Sequence, residues 1–178
     1  MKQNSQNPTP NITRRQFLNY LPTLAILWAA KPAAAAPTAK ALVLSCIDFR
    51  VLEAERYFLS LQNLSNHYDL VALAGSSLAL SGIPHQASTQ TFWDQVDLAY
   101  RVHHIQKIII LDHQDCPEYA DKIDPNLSKN PEQEQQVHAQ YLSRAYWSIR
   151  DRYRDLNIEL YFVTLNAEVK PVTPLPKA

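Results

Sequence analysis

Glycine is nearly absent from this chain: two residues in 178, against twelve prolines. The prolines gather toward the two ends, which points to extended terminal tails and not to a proline-rich domain. An excess of one charge is absent too. Seventeen Lys and Arg balance seventeen Asp and Glu, so no basic surplus exists to grip a nucleic-acid backbone, and that class of partner is set aside. Cysteine is scarce, with Cys46 and Cys116 alone. A closed structural zinc site would want a fourth Cys or His ligand nearby, and no third thiol exists to supply it. A long apolar run is also missing: LNYLPTLAILWAA is shorter than the roughly 20 residues that span a bilayer, and Pro22 interrupts it. No internal repeat or clear linker divides the chain, whose length suits one domain with a real core.

That apolar run follows Arg14-Arg15-Gln16-Phe17 and precedes Lys31, Pro32 and an alanine tract. A charged region, a short apolar region and a small-residue cleavage site are the parts of a secretory signal, and the paired arginines resemble the bacterial twin-arginine (Tat) signal. Residues 1–36 are therefore expected to be an export signal cleaved near Ala35 or Ala36. An uncleaved anchor is the competing reading. The mature protein is expected in the periplasm or otherwise outside the cytoplasm, meeting the membrane only during export. Free thiols tend to oxidise there, so a Cys46–Cys116 disulfide is one reading of the pair. Thiolates that already hold a metal when the folded protein is exported are the other.

The mature part alternates between strand and helix patterns. Residues 41–47 are nearly all apolar and read as a strand. Ala54, Phe58 and Leu61 repeat at helical spacing within 52–64. Residues 68–75 read as a second strand closed by Gly75, and 76–87 as a loop. Ser88 is a helix cap candidate, and Phe92, Val96 and Ala99 share one face of a helix reaching about His104. Residues 107–112 are apolar on both sides, as a covered parallel strand should be. Asn130-Pro131-Glu132 is a helix start, and Val137, Tyr141, Ala145, Ile149 and Tyr153 carry that helix to about Leu156. Residues 157–165 make a fourth strand, and 171–178 a loose tail. This order predicts an α/β domain over 37–170: a three-layer fold with a mainly parallel four-stranded sheet, order 2-1-3-4, and helices on both faces.

Ligands in such folds sit at the carboxyl ends of strands where the winding reverses, here between strands one and three. Strand one ends in Cys46, Asp48 and Arg50. Strand three ends in His113 and Cys116. Two thiols and an imidazole suit zinc in a tetrahedron, which leaves one position for water. Asp48 is the candidate fourth group, on the metal or bonded to that water. Strand alternation would set residues 46, 48 and 50 on one side with Ile47 and Phe49 packed on the other. Arg50 would then clamp Asp48 in its ionised form.

Cys46-Ile47-Asp48-Phe49-Arg50 and His113-Gln114-Asp115-Cys116 resemble the Cys-x-Asp-x-Arg and His-x-x-Cys motifs of the β-class carbonic anhydrases, over roughly residues 41–165. Ala74-Gly75 resembles the family's Ala-Gly after strand two. The resemblance implies a Zn2+ ion on Cys46, His113 and Cys116, with Asp48 and Arg50 as the catalytic dyad. It implies a lyase that hydrates carbon dioxide reversibly to bicarbonate through a metal-bound hydroxide, working as a homodimer. Two anionic thiolates acidify that water less than three neutral imidazoles would, so the rate is expected to rise toward alkaline pH. The rival readings are a zinc hydrolase of carbonyl sulfide or carbon disulfide, and a non-catalytic metal-binding relic. Asp112, Pro117 and Glu118 stand where the family often has glycine, and Phe49 is bulkier than its usual Ser or Ala. His103 and His104 are expected to complement a helix end, Asp115 and Glu118 to line the rim, and His67, His85 and His138 to face solvent.

Overall fold

The computed structural model describes residues 38–83 and 85–177; the expected export signal lies outside them. Among the described residues five strands form one sheet: β1 (Ala41–Ser45), β2 (Tyr68–Ala72), β3 (Lys107–His113), β4 (Asn157–Val163) and β5 (Val169–Pro171), in the order β2-β1-β3-β4-β5. The first four run parallel, with Leu44 opposite both Val71 and Ile110. The helices are α1 (Leu52–Leu61), α2 (Gln86–Leu98), α3 (Pro117–Lys122) and α4 (Pro131–Arg152).

Side-chain parity sorts the layers. Leu42, Leu44, Ile108, Ile110, Ile158 and Leu160 point to one face of the sheet and meet Phe92 and Val96 of α2 and Leu142 and Ile149 of α4. Ala41, Val43, Ile109 and Leu111 point to the other face and meet Val51, which caps α1, and Leu59 on that helix. Successive strand residues alternate in direction, so β1 is buried along its whole length only because both faces are covered. α4 starts as its sequence directs: the Asn130 side chain accepts from the Gln133 N–H at 3.2 Å, Pro131 opens the first turn, and Glu132 and Glu134 follow.

The sheet has one strand more than the expected four. β5 runs antiparallel to β4 after a turn in which Thr164 N–H donates to the Glu168 carbonyl at 2.9 Å. Three residues ending in Pro171 give little strand signal, and an edge position is where proline is tolerated. The segment after β5, expected to be loose, lies along α4. Trp147 Nε1 donates to the Leu175 carbonyl at 2.8 Å, and Leu175 N–H to Ser143 Oγ at 2.9 Å. The stretch after β2 is no plain loop either: Ser76–Ser81 form a 3₁₀ turn with Ser76 to Leu80 buried. The chain's two glycines bracket it, both left-handed, Gly75 at φ 75° and Gly82 at φ 83°. α2 ends at Leu98, and a π turn over Ala99–His103 replaces the expected continuation. There His103 Nδ1 lies 2.7 Å from Asp69 Oδ2 on β2. α4 stops at Arg152 and does not reach Leu156.

Candidate metal centre

β1 and β3 are adjacent, and their carboxyl ends deliver the candidate ligands. Cys46 follows β1 directly, His113 is the last residue of β3, and Cys116 caps α3, whose first residue is Pro117. One ligand atom from each of Cys46, His113 and Cys116 lies within 4.8 Å of the others, and all three residues are buried. The two sulfurs are 4.0 Å apart. A disulfide needs about 2.05 Å, and both cysteines are free, which removes the disulfide reading. Two Zn–S bonds of about 2.3 Å at a tetrahedral angle would set sulfurs about 3.8 Å apart, close to the observed separation.

The imidazole is ready for the same ion. His113 Nδ1 donates to the Gln114 carbonyl at 2.9 Å, which leaves the lone pair on Nε2. That Nε2 is buried and has no hydrogen-bond partner. An orphaned imidazole nitrogen beside two sulfurs is a costly arrangement unless a cation fills it. The sulfurs share that need. Hydrogen bonding from Cys116 lowers the Cys46 pKa against the effect of burial, with help from His113. The same bond to Cys46, followed by burial, raises the Cys116 pKa. Burial works to lower the His113 pKa, but Cys46, the Gln114 carbonyl and Asp48 together raise it. The donor set and its geometry thus fit a zinc ion.

Asp48 and Arg50 come to the same place by a different local route from the one expected. β1 ends at Ser45, so residues 46–50 form a turn, not an alternating strand end. Ile47 and Phe49 do not pack; they are 67% and 84% exposed. The turn closes through Asp48 itself, whose Oδ1 accepts from the Arg50 N–H at 3.0 Å. The Arg50 guanidinium then grips the carboxylate, with Nη2 to Oδ2 at 2.7 Å. This grip holds the Asp48 pKa down to about 2. Asp48 Oδ2 stands 3.9 Å from His113 Nε2, outside the three-ligand group but next to it. Ala74 lines the same pocket of about 540 Å³, and Gly75 N–H donates to Cys46 Sγ at 3.4 Å.

Several residues that support this site gave no usable signal in the sequence. Asp115, expected only at the rim, accepts from Arg50 through Oδ2 (2.8 Å) and through its carbonyl (2.7 Å). Its N–H donates to buried Glu134 on α4 at 2.6 Å, which holds Asp115 at a left-handed φ of 55°. His138, expected in solvent, is 1% exposed, and its Nδ1 donates to Asp112 Oδ2 at 2.8 Å. It is buried because α4 lays it between the Tyr119 and Phe162 rings. His67 and His85 are exposed.

Glu55, on α1, is buried beneath the site and accepts from Ser45 Oγ at 2.6 Å through Oε2, while Oε1 has no partner. Burial raises its pKa from 4.5 to about 7, the Ser45 hydroxyl opposing. An unfolded chain would release this proton near 4.5 and the folded chain only near 7. Stability therefore falls as pH rises through that interval and levels off above it. Glu55→Gln is expected to stabilise the protein by roughly 3 kcal/mol at most above neutral pH. The gain should shrink toward zero as the pH drops below the lower value. Urea denaturation across that range checks it, and a gain that does not vary with pH would contradict it.

The model of the family described as "Putative carbonic anhydrase" matches residues 36–173. An uncharacterized protein of Rickettsia conorii is 28% identical over 138 residues, covering 78% of this chain and 74% of its own length. One from Rickettsia bellii is 27% identical over 134 residues, covering 75% and 82%. Among solved structures, a β-carbonic anhydrase of Aspergillus fumigatus matches with a TM-score of 0.57 at 13% identity, over 92% of this chain and 85% of that one. A carbonic anhydrase of Streptococcus mutans matches at 0.52 and 14%, over 89% and 96%. At such identities the structural likeness speaks for the fold, while the family match covers most of the sequence. The chain belongs to the putative carbonic anhydrase family, and it shares its fold with the β-carbonic anhydrase it matches.

Proposed function

We propose that the protein is a zinc-dependent carbonic anhydrase that converts carbon dioxide and water reversibly to bicarbonate. The observation that carries this reading is the buried, partnerless His113 Nε2 facing two free sulfurs, with the Asp48–Arg50 pair beside them. Cys46, His113 and Cys116 would hold the ion. Zinc, when bound, would supply a Lewis acid that activates water as a nucleophile far below the pKa of bulk water.

The chain's own residues do the rest. Arg50 keeps Asp48 anionic over the working pH range, so Asp48 offers an acceptor for a proton on a water at the site. Asp115 fixes the other side of the guanidinium, which stops Arg50 from swinging away. Ile47, Phe49, Ala74 and Pro117 give the pocket an apolar wall suited to an uncharged, weakly hydrogen-bonding gas. Exposed Ile47 and Phe49 beside this pocket also support a homodimer. The matched β-carbonic anhydrases of Sordaria macrospora are described as tetrameric. The twin-arginine-like sequence at the N-terminus supports a location outside the cytoplasm for the mature protein.

A stopped-flow carbon dioxide assay on the zinc-loaded protein tests the reading. Hydration should be measurable and should rise from neutral to alkaline pH. Asp48→Ala should lower it roughly 100-fold, the range for loss of a positioned acid–base group. No hydration above the uncatalysed rate would sink the reading. Running carbonyl sulfide and carbon disulfide in parallel separates hydrolase activity from hydration.

A further inference from the structure

The pocket over the candidate metal centre is lined by three carboxylates, Asp48, Asp115 and Glu118, and by one cation, Arg50. Arg50 is fully engaged by the first two, at 2.7 Å to Asp48 and 2.8 Å to Asp115. Glu118 makes no ion pair with Arg50, and Lys122, the cation one helical turn along from it, does not line the pocket. Its Oε1 is buried and has no hydrogen-bond partner. The fold makes room for this side chain. A Cβ placed on Gly75 would meet Glu118 Cγ at 3.1 Å, and Gly75 also sits at a left-handed φ of +75°. Glycine at that position therefore leaves room for the Glu118 stem while its backbone N–H reaches Cys46 Sγ.

Three carboxylates against one guanidinium leave the lining with a net negative charge. Two thiolates would cancel the charge of a zinc ion, so the metal would not offset that excess. A carboxylate partly withdrawn from water projects its field over a longer range than a solvated one. An anion approaching the candidate metal centre would meet that field. An uncharged molecule would not.

We infer that Glu118 is a specificity-determining residue that turns this centre away from anions and toward uncharged ligands. The inference rests on the metal-centre reading above and deepens it. An anionic product is pushed out of the pocket by the same charge.

Cobalt(II) in place of zinc gives visible absorption bands that report what binds at the metal, independent of turnover. Azide serves as the anionic probe and imidazole as the neutral one, at about pH 8, where imidazole is uncharged. Glu118→Gln, which keeps shape and loses charge, should bind azide about tenfold tighter than the unmodified protein, as expected for removal of one nearby like charge. Glu118→Ala should shift azide in the same direction. Imidazole affinity should stay the same in both variants. Equal azide affinity in the unmodified protein and both variants overturns the inference. So does a parallel gain for imidazole, which would mean that the side chain blocks access by bulk and not by charge. If the unmodified protein takes up no cobalt, the metal-centre reading falls first and this inference with it. Cobalt uptake with unchanged azide binding removes the inference alone.

Discussion

Cys46→Ser is expected to lose zinc affinity by more than about 100-fold while keeping its fold. Loss of an outer hydrogen-bond partner to a metal ligand already costs roughly 10–100-fold, and loss of a thiolate removes a ligand outright. Serine fits the space, and Cys46 lies at the end of β1 in a small cluster with Leu78, Cys116, Tyr119 and Leu127, apart from the two large cores on the sheet faces. Competition with a chromophoric chelator gives the affinity, and circular dichroism reports the fold. Asp48→Ala provides the contrast. Asp48 stands outside the three-ligand group, so its loss should spare zinc retention while it lowers hydration. Stoichiometric zinc held with undiminished affinity by Cys46→Ser would rule out this centre.

Asp112→Ala is expected to destabilise the fold by about 3–5 kcal/mol, more than any surface change in the molecule. Asp112 is 1% exposed and lies one residue before His113. Its carboxylate accepts from Ser77 N–H (3.0 Å), Ser77 Oγ (2.6 Å), Tyr119 OH (2.9 Å) and His138 Nδ1 (2.8 Å). Burial keeps Tyr119 a hydroxyl donor by raising its pKa well above the usual value. These four bonds tie the buried 3₁₀ turn, α3 and α4 to the end of β3. Removing the acceptor strands His138 Nδ1 and the Ser77 N–H away from water, each at the cost of an unmade hydrogen bond. Asp112→Asn should fall between, since it keeps an acceptor oxygen but loses the charge. Urea midpoints at a fixed pH measure all three proteins. A loss below about 1 kcal/mol for the alanine variant would mean that the network contributes little.

The two substitutions fall on residues of very different legibility. Cys46, His113 and Cys116 could be grouped from the chain alone because apolar strand runs point to where strands end, and because thiols and imidazoles have a narrow chemistry. Asp112 could only be noted as an acid where related proteins often have glycine. Its partners Ser77, Tyr119 and His138 come from a turn and two helices, and no spacing along the chain relates them. His138 illustrates the difficulty. A histidine on a helix rich in polar residues reads as solvated until the sheet lays Phe162 on one side of it and α3 lays Tyr119 on the other.

The sequence by itself determined the alternation of strands and helices, the parallel order of the first four strands and the meeting of two distant strand ends at one site. Those follow from local hydrophobic period and from the few ways right-handed crossovers can be wound. Only the tertiary structure decided that residues 46–50 form a turn closed by Asp48, that a short fifth strand ends the sheet, and that Glu55, Asp112, Glu118 and Glu134 are drawn toward the centre. The burial, charge balance and hydrogen bonding of such side chains depend on neighbours far away in the chain, which no local pattern encodes.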